Sequence, residues 1–353
     1  MDSIHNSEVV FWTERFGAHI GGLEKRLADL AAGLVRHGVP VRIVCGVSSA
    51  SPDHFRLDVL GPDFLRRSFD AIQRHVAAGG ILYCARLSQA APRLHAQMLR
   101  RLPRGIVIVR VPTTQAARVL VRHGVVSALD HASARFHALN TASYRTIRRR
   151  ATFSSVVRYL NPALIPTSYS VSYHERFVYC GRLTPSKNAH TLIKAWEMIE
   201  HRGLCDGSRL AIYGVPYHSG YETEVRRLTR ALDRIELLSP YGAENPASSA
   251  HAVVLPSFRE GHPNILSEAF ANGTPVIGSR IPGIAEHVSS ERGWLIDTPA
   301  DPASIIDALE SSWHTSPSQY TEFVKAARRY AEVRLSEDIE ASDLLALVQR
   351  RAY

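Results

Sequence analysis

The chain has 353 residues, 45% hydrophobic and 21% charged, which suits two ordinary α/β domains and excludes a disordered or fibrous protein. Its longest apolar runs, such as GIVIV and VVLP, fall far short of the roughly 20 residues that a membrane span needs. Residues 1–165 carry 23 Lys and Arg against 10 Asp and Glu, a balance of +13; the remainder carries 19 against 23, a balance of −4. Two halves of opposite bias imply two domains with different partners.

The start, MDSIHNSE, is polar and lacks a signal peptide's basic-then-apolar order. Cys45, Cys84, Cys180 and Cys205 are widely spaced and form no C-x-x-C. They read as buried thiols of a cytoplasmic protein, not as a disulfide or zinc framework.

In chain order, SEVVFW (7–12) reads as a strand and GLEKRLADLAAGLVRHG (22–38) as a helix closed by Gly38. PVRIVCG (40–46), GILYCAR (80–86) and GIVIVRV (105–111) are further strands, and SYRTIRRR is a helix. The Pro- and Ser-containing segment 161–174 is the expected domain boundary. Beyond it the alternation is regular. RFVYCG (176–181), RLAIYG (209–214), RIELLS (234–239), AVVLPS (252–257), PVIGS (275–279) and GWLID (293–297) are strands, separated by helical stretches such as HTLIKAWEMIE and YETEVRRLTRALD. Strands interleaved with helices give parallel sheets covered on both faces, here two Rossmann-like domains.

Three stretches carry chemistry. The first is REGHPNILSEAFANGTPVIGS, where Glu260 precedes a helix opened by Pro263 and Glu268 lies within it. Unpaired N–H groups and the positive dipole end of that helix are a seat for phosphate. A carboxylate only accepts hydrogen bonds, so it suits pairs of sugar hydroxyls. Two glutamates at this spacing are common on solvated helices; the strand before and the return strand after give the pair its context. The second is CGRLTPSKNAHTLIKAW. Arg182 ends a strand and Lys187 precedes a helix, a fork and a point charge placed to clamp a diphosphate; two exposed basic side chains in a turn is the plainer alternative. The third is FGAHIGGLEKRL, where Gly21 and Gly22 let backbone N–H groups approach a phosphate or sugar closely, or merely make a tight turn. It is neither G-x-G-x-x-G nor G-x-x-x-x-G-K-[ST], which disfavours NAD and a P-loop.

In this order and spacing, the three stretches resemble the retaining GT-B glycosyltransferases of family 4, the glycosyl transferases group 1. The resemblance spans nearly the whole chain, strongest over 176–297, less close over 7–46 and least between 47 and 165. It implies a GT-B fold: two facing Rossmann-like domains with parallel sheets and a cleft between them. An acceptor domain would span 1–165 and a nucleotide-sugar domain 166–335, with a C-terminal helix, 336–353, packing back on the first. The substrate would be a nucleoside diphosphate sugar, with no cofactor. The chain contains no Asp-x-Asp, which argues against a divalent-metal site.

The resemblance also implies roles. Arg182 and Lys187 would hold the donor diphosphate, Glu268 the ribose and Glu260 the transferred sugar. Backbone N–H groups around His262, Pro263, Asn264 and Ile265 would meet the sugar or phosphate, and Gly21 and Gly22 would close on the diphosphate. Many members place a histidine after the fourth strand of the first domain. Here IVIVRVPTT offers Arg110, Thr113 and Thr114 instead, with His19 in the glycine loop. The expected function is sugar transfer from a UDP- or GDP-sugar to a glycan, glycolipid or lipid-linked acceptor in cell-surface polysaccharide synthesis. Expected partners are an anionic or lipid-linked acceptor and an anionic membrane surface, without nucleic acid. A small soluble acceptor, a sugar-nucleotide epimerase and a non-catalytic sugar-nucleotide module are the competing readings.

Overall fold

The computed structural model describes residues 8–16, 22–48, 56–61, 63–85, 92–130, 134–169, 175–204, 207–217, 219–239, 245–336 and 338–349. The chain divides into two units, Met1–Tyr159 with Asp338–Tyr353, and Leu160–Glu337.

The first unit contains β1 (Val9–Phe16), α1 (Gly22–Arg36), β2 (Val41–Ser48), β3 (Arg56–Val59), α2 (Phe64–Ala77), β4 (Ile81–Cys84), α3 (Pro92–Leu99), β5 (Ile106–Val111), α4 (Thr114–Arg122), α5 (Val125–Asp130), β6 (Arg135–Ala138), α6 (Thr141–Arg148) and β7 (Ser155–Arg158). Its sheet runs β3-β2-β1-β4-β5-β6-β7, with every neighbouring pair parallel. Side chains alternate between the faces of a strand, so β1 feeds two cores. Val10 and Trp12 enter one with Leu82, Val109 and Phe136; Val9 and Phe11 enter the other with Ile43, Tyr83 and Ile108. The helices that return each parallel strand to the same end cover these faces.

The second unit contains β8 (Arg176–Arg182), α7 (Ala189–His201), β9 (Arg209–Val215), α8 (Ser219–Thr229), β10 (Ile235–Leu238), β11 (Ala252–Leu255), α9 (Asn264–Ala271), β12 (Val276–Ser279), β13 (Gly293–Ile296), α10 (Pro302–Trp313) and α11 (Pro317–Arg334). Its strands run β10-β9-β8-β11-β12-β13, again all parallel. This is the doubly wound order, with its switch point between the first and fourth strands, β8 and β11. All six strands expected from sequence are present. Leu160, Ala163 and Ile165, assigned to the first domain from sequence, pack on this unit's core beside Leu255 and Leu266.

The last helix, α12 (Ile339–Gln349), belongs to the first unit, where Leu344, Leu347 and Val348 pack with Leu27, Leu30 and Tyr83. Its Glu340 is 2% exposed and receives four donors. Arg110 Nη1 donates to Oε2 at 2.8 Å and Arg26 Nη2 at 3.1 Å. Tyr83 donates its hydroxyl to Oε1, and His137 Nδ1 lies 3.0 Å from the same oxygen. Burial alone would push the Glu340 carboxyl up, but Arg110, His137 and Arg26 outweigh it and hold it well below the ordinary range.

Among the described residues no helix is long and apolar enough to cross a membrane. Cys45 and Cys84 are buried, and burial raises their thiols to about 11 and about 12. Cys180, also expected inside, is only half-buried because it lies near the carboxyl end of β8. Cys205 lies outside the described residues.

Candidate functional site

Ligands of open α/β sheets settle beyond the carboxyl ends of the strands at the switch point. In the second unit that place is built by the segments leaving β8 and β11. Arg182 is the last residue of β8, in register with Val215, and its guanidinium carbon sits 4.7 Å from the centre of the Tyr217 ring. A cation over an aromatic face is held in orientation without being neutralised. The chain then makes a 3-10 turn, Pro185–Lys187, which delivers the Lys187 side chain.

Asn188 follows in the left-handed region at φ 61° and is wholly buried. Its Nδ2 donates to the carbonyls of Pro256, at 3.0 Å, and Pro299, at 2.6 Å, while Oδ1 accepts from Thr191 Oγ1 at 2.6 Å. Asparagine tolerates this backbone better than other non-glycine residues. One side chain thus ties the turn after β8 to the exits of β11 and β13.

The segment leaving β11 is joined to the same turn by Phe258 N–H, which donates to the Ser186 carbonyl at 2.9 Å. Ser257 Oγ donates to Glu260 Oε1 at 2.9 Å, and Lys187 Nζ donates to the same oxygen. The side chains of Lys187 and Glu260 keep 20% and 8% of their exposure, so the pair is shielded yet reachable.

Gly283 supports this loop from behind. Its φ is +90°, and a Cβ there would lie 2.1 Å from the Gly261 carbonyl oxygen. His262 and Pro263 are buried, Asn264 opens α9 half-buried, and Ile265 packs in the core. Pro263 is the residue before the helix, not its first turn, and offers no side-chain cap. Glu268 lies in the middle of α9, half-buried. Gly273, at φ 75°, closes the helix.

The first unit treats its candidates differently. Gly22 is the first residue of α1. His19 and Gly21 lie outside the described residues. Arg110 is 3% exposed and committed to Glu340, so it belongs to the core and not to a ligand-facing edge. Thr113 caps α4, its hydroxyl accepting from Ala116 N–H at 3.1 Å, and Thr114 Oγ1 donates to Asn140 Oδ1 at 3.3 Å.

Sequence reasoning did not single out Asn188's clamp, Tyr217, Gly283 or Asn161. Only the first left a legible signal, an asparagine between a turn and a helix.

Residues 174–314 match the family described as Glycosyl transferases group 1. The D-inositol 3-phosphate glycosyltransferase of Salinispora tropica is 34% identical over 130 residues, 34% of this chain and 27% of that protein. The D-inositol 3-phosphate glycosyltransferase of Corynebacterium diphtheriae is 31% identical over 163 residues, 43% of this chain and 38% of that protein. The chain thus matches less than half the length of these curated relatives.

Among solved structures, sucrose-phosphate synthase from Thermosynechococcus elongatus aligns with TM-score 0.76 and 16% identity, covering 98% of this chain and 99% of that one. Anabaena HepE in complex with UDP and glucose aligns with TM-score 0.73 and 16% identity, covering 98% and 100%. The chain has the GT-B glycosyltransferase fold.

Proposed function

We propose that the protein is a retaining glycosyltransferase that moves a sugar from a nucleoside diphosphate donor to an anionic acceptor. The observation that carries this reading is the Lys187–Glu260 pair at the β8–β11 switch point, ahead of the start of α9, with Arg182 at the end of β8. Support comes from the family match over 174–314, which contains all of these residues.

The bond from the anomeric carbon to the β-phosphate oxygen breaks first, and charge grows on the departing diphosphate. Arg182 and Lys187 neutralise it, as does the positive dipole end of α9. Before the donor binds, Lys187 is held by Glu260; an arriving diphosphate competes for the ammonium and frees the carboxylate to accept from sugar hydroxyls. The acceptor oxygen attacks the same face, and its proton passes to the departing phosphate. Two fixed cations supply the charge that a divalent metal supplies elsewhere, so no metal is required. Glu268 accepts from the ribose hydroxyls.

The acceptor reading rests on the +13 balance of residues 1–165 and favours a phosphorylated or lipid-linked molecule at the inner face of a membrane, in cell-surface polysaccharide synthesis. The curated relatives, by name, glycosylate an inositol phosphate, a soluble anionic acceptor, and this keeps a soluble acceptor as the second reading.

A thermal-shift panel of UDP-, GDP- and ADP-sugars tests the proposal. A ligand that binds only the folded state raises its midpoint, by about 2.7 kcal/mol of stability at a hundredfold excess over Kd. A rise with one base class supports the donor site. A flat response to all three removes it.

A further inference from the structure

Where the chain enters the second unit, it grips the candidate donor loop at once. Tyr159 is still held in the first unit, its N–H donating to the Ala138 carbonyl at 3.0 Å and its hydroxyl to Asp343. Two residues on, Asn161 is 6% exposed and bonded to residues on both sides of the α9 start. Its backbone N–H donates to His262 Nδ1 at 3.0 Å. Its Nδ2 donates to the His262 carbonyl at 2.6 Å and to Asn264 Oδ1 at 2.7 Å. Its own carbonyl accepts from Ser267 Oγ at 2.6 Å.

Two consequences follow. A backbone N–H can only donate, so His262 Nδ1 is an acceptor and the neutral ring carries its proton on Nε2. Ser267 does not compete for Nδ1: it lies 3.5 Å away and its proton is spent on Asn161. The start of α9, moreover, has no side-chain cap of its own, because Pro263 sits at the cap position. The orientation of its first turn is therefore set from outside the helix, by residue 161.

We infer that Asn161 is a positioning residue of the nucleotide-sugar site, fixing the entry of α9 and the Nε2–H tautomer of His262. The inference rests on the donor reading above. Asn161 does not touch the donor itself; it holds the helix start that would face it. One residue separates Tyr159 from Asn161, so the segment that enters the second unit is also part of the donor loop's scaffold.

The experiment uses the full chain labelled with ¹⁵N-histidine, with the His262 signal assigned by its loss in His262→Gln. Ring nitrogen shifts should show the Nε2–H form. UDP, GDP and ADP are then titrated calorimetrically into wild type, Asn161→Ala, Asn161→Asp and Ser267→Ala, with thermal midpoints measured in parallel. Asn161→Ala should weaken the preferred nucleotide about tenfold. Asn161→Asp, which sets a carboxylate against two oxygen acceptors, should weaken it further. Ser267→Ala loosens the same cluster but spares the contacts to 262 and 264, so it should lower the midpoint and leave affinity within about twofold. Nucleotide affinity in Asn161→Ala and Asn161→Asp equal to wild type, or affinity falling in step with the midpoint across all three variants, overturns the positioning role. An Nδ1–H ring overturns the tautomer assignment. Wild-type protein that binds none of the three nucleotides overturns the donor site itself, while the ring shifts still decide whether Asn161 sets His262.

Discussion

Lys187 and Glu260 form an ion pair across the switch point of the second sheet, and Ser257 donates to the same carboxylate oxygen. In the proposed donor site this pair sets the diphosphate's cation against the sugar's acceptor, both partly shielded. Removing either partner has different consequences. Lys187→Ala should cut turnover by about 10²–10³, as the loss of one preorganised donor to a developing charge does. Glu260→Gln should raise the Michaelis constant for the donor sugar and keep nucleoside diphosphate affinity near wild type, since Lys187 is then freer. Initial rates at varied donor, with excess EDTA present throughout, check both. Near-normal turnover in Lys187→Ala, or wild-type activity abolished by EDTA, would count against the assignment.

Gly283 gives a test of the loop that carries Glu260. A Cβ at 283 would meet the Gly261 carbonyl oxygen at 2.1 Å and the Glu260 carbonyl oxygen at 2.9 Å, and the backbone there is at φ +90°. Both the steric clash and the left-handed backbone disfavour alanine, the second by about 1 kcal/mol. Gly283→Ala should displace Glu260 and Gly261 and reduce kcat/KM tenfold or more, with a fall in thermal midpoint. A crystal structure of the variant with loop 258–263 unmoved would contradict this.

The buried Glu340 makes a pH prediction. Its carboxyl is held below the ordinary range by Arg110, His137 and Arg26, against the opposing effect of burial. A depressed folded pKa contributes stability that is complete above the unfolded value, about 4.3, and is lost as pH falls through the folded one. The first unit should therefore lose stability on acidification below about pH 4.5. Glu340→Gln leaves Arg110 buried without its carboxylate, which should cost about 3–5 kcal/mol, and removes Glu340's share of the acid slope. Denaturant midpoints between pH 3 and 7 read both effects; an unchanged slope in the variant would show that other carboxylates set it.

The charge of the first unit predicts an ionic-strength effect. Arg66, Arg67, Arg100, Arg101, Arg104, Arg148, Arg149 and Arg150 are all exposed. Basic side chains near an anionic surface contribute on the order of 1 kcal/mol each within a Debye length. Co-sedimentation with vesicles rich in phosphatidylglycerol should be seen at low salt and fade as salt rises. No sedimentation at low salt, with full activity on a water-soluble acceptor, would remove the membrane reading.

The second unit was nearly transparent in the sequence because its strands are short, apolar runs separated by clear helices. RFVYCG, RLAIYG and AVVLPS need little context, and the residues after them sit where the topology of such sheets puts ligands. The first unit hid three strands. RLDV and SVVR are sheet edges, half polar because one side has no partner, and RFHA is buried but carries His137 for the Glu340 cage. Arg110 sits where the family resemblance led to a histidine being expected, and its bond to a carboxylate 230 residues later has no local signal. Asn161, Asn188 and Gly283 act through contacts distant in sequence, which no local spacing encodes.

A nucleoside diphosphate sugar bound at the β8–β11 switch point would rest its ribose on Glu268. Calorimetric titration of the free nucleoside diphosphate, chosen from the UDP, GDP and ADP panel, into wild type and Glu268→Ala tests it most directly. The account predicts saturable binding by the wild type, weakened tenfold or more in the variant with the thermal midpoint little changed. Equal affinity in both proteins, or no binding in either, would contradict it.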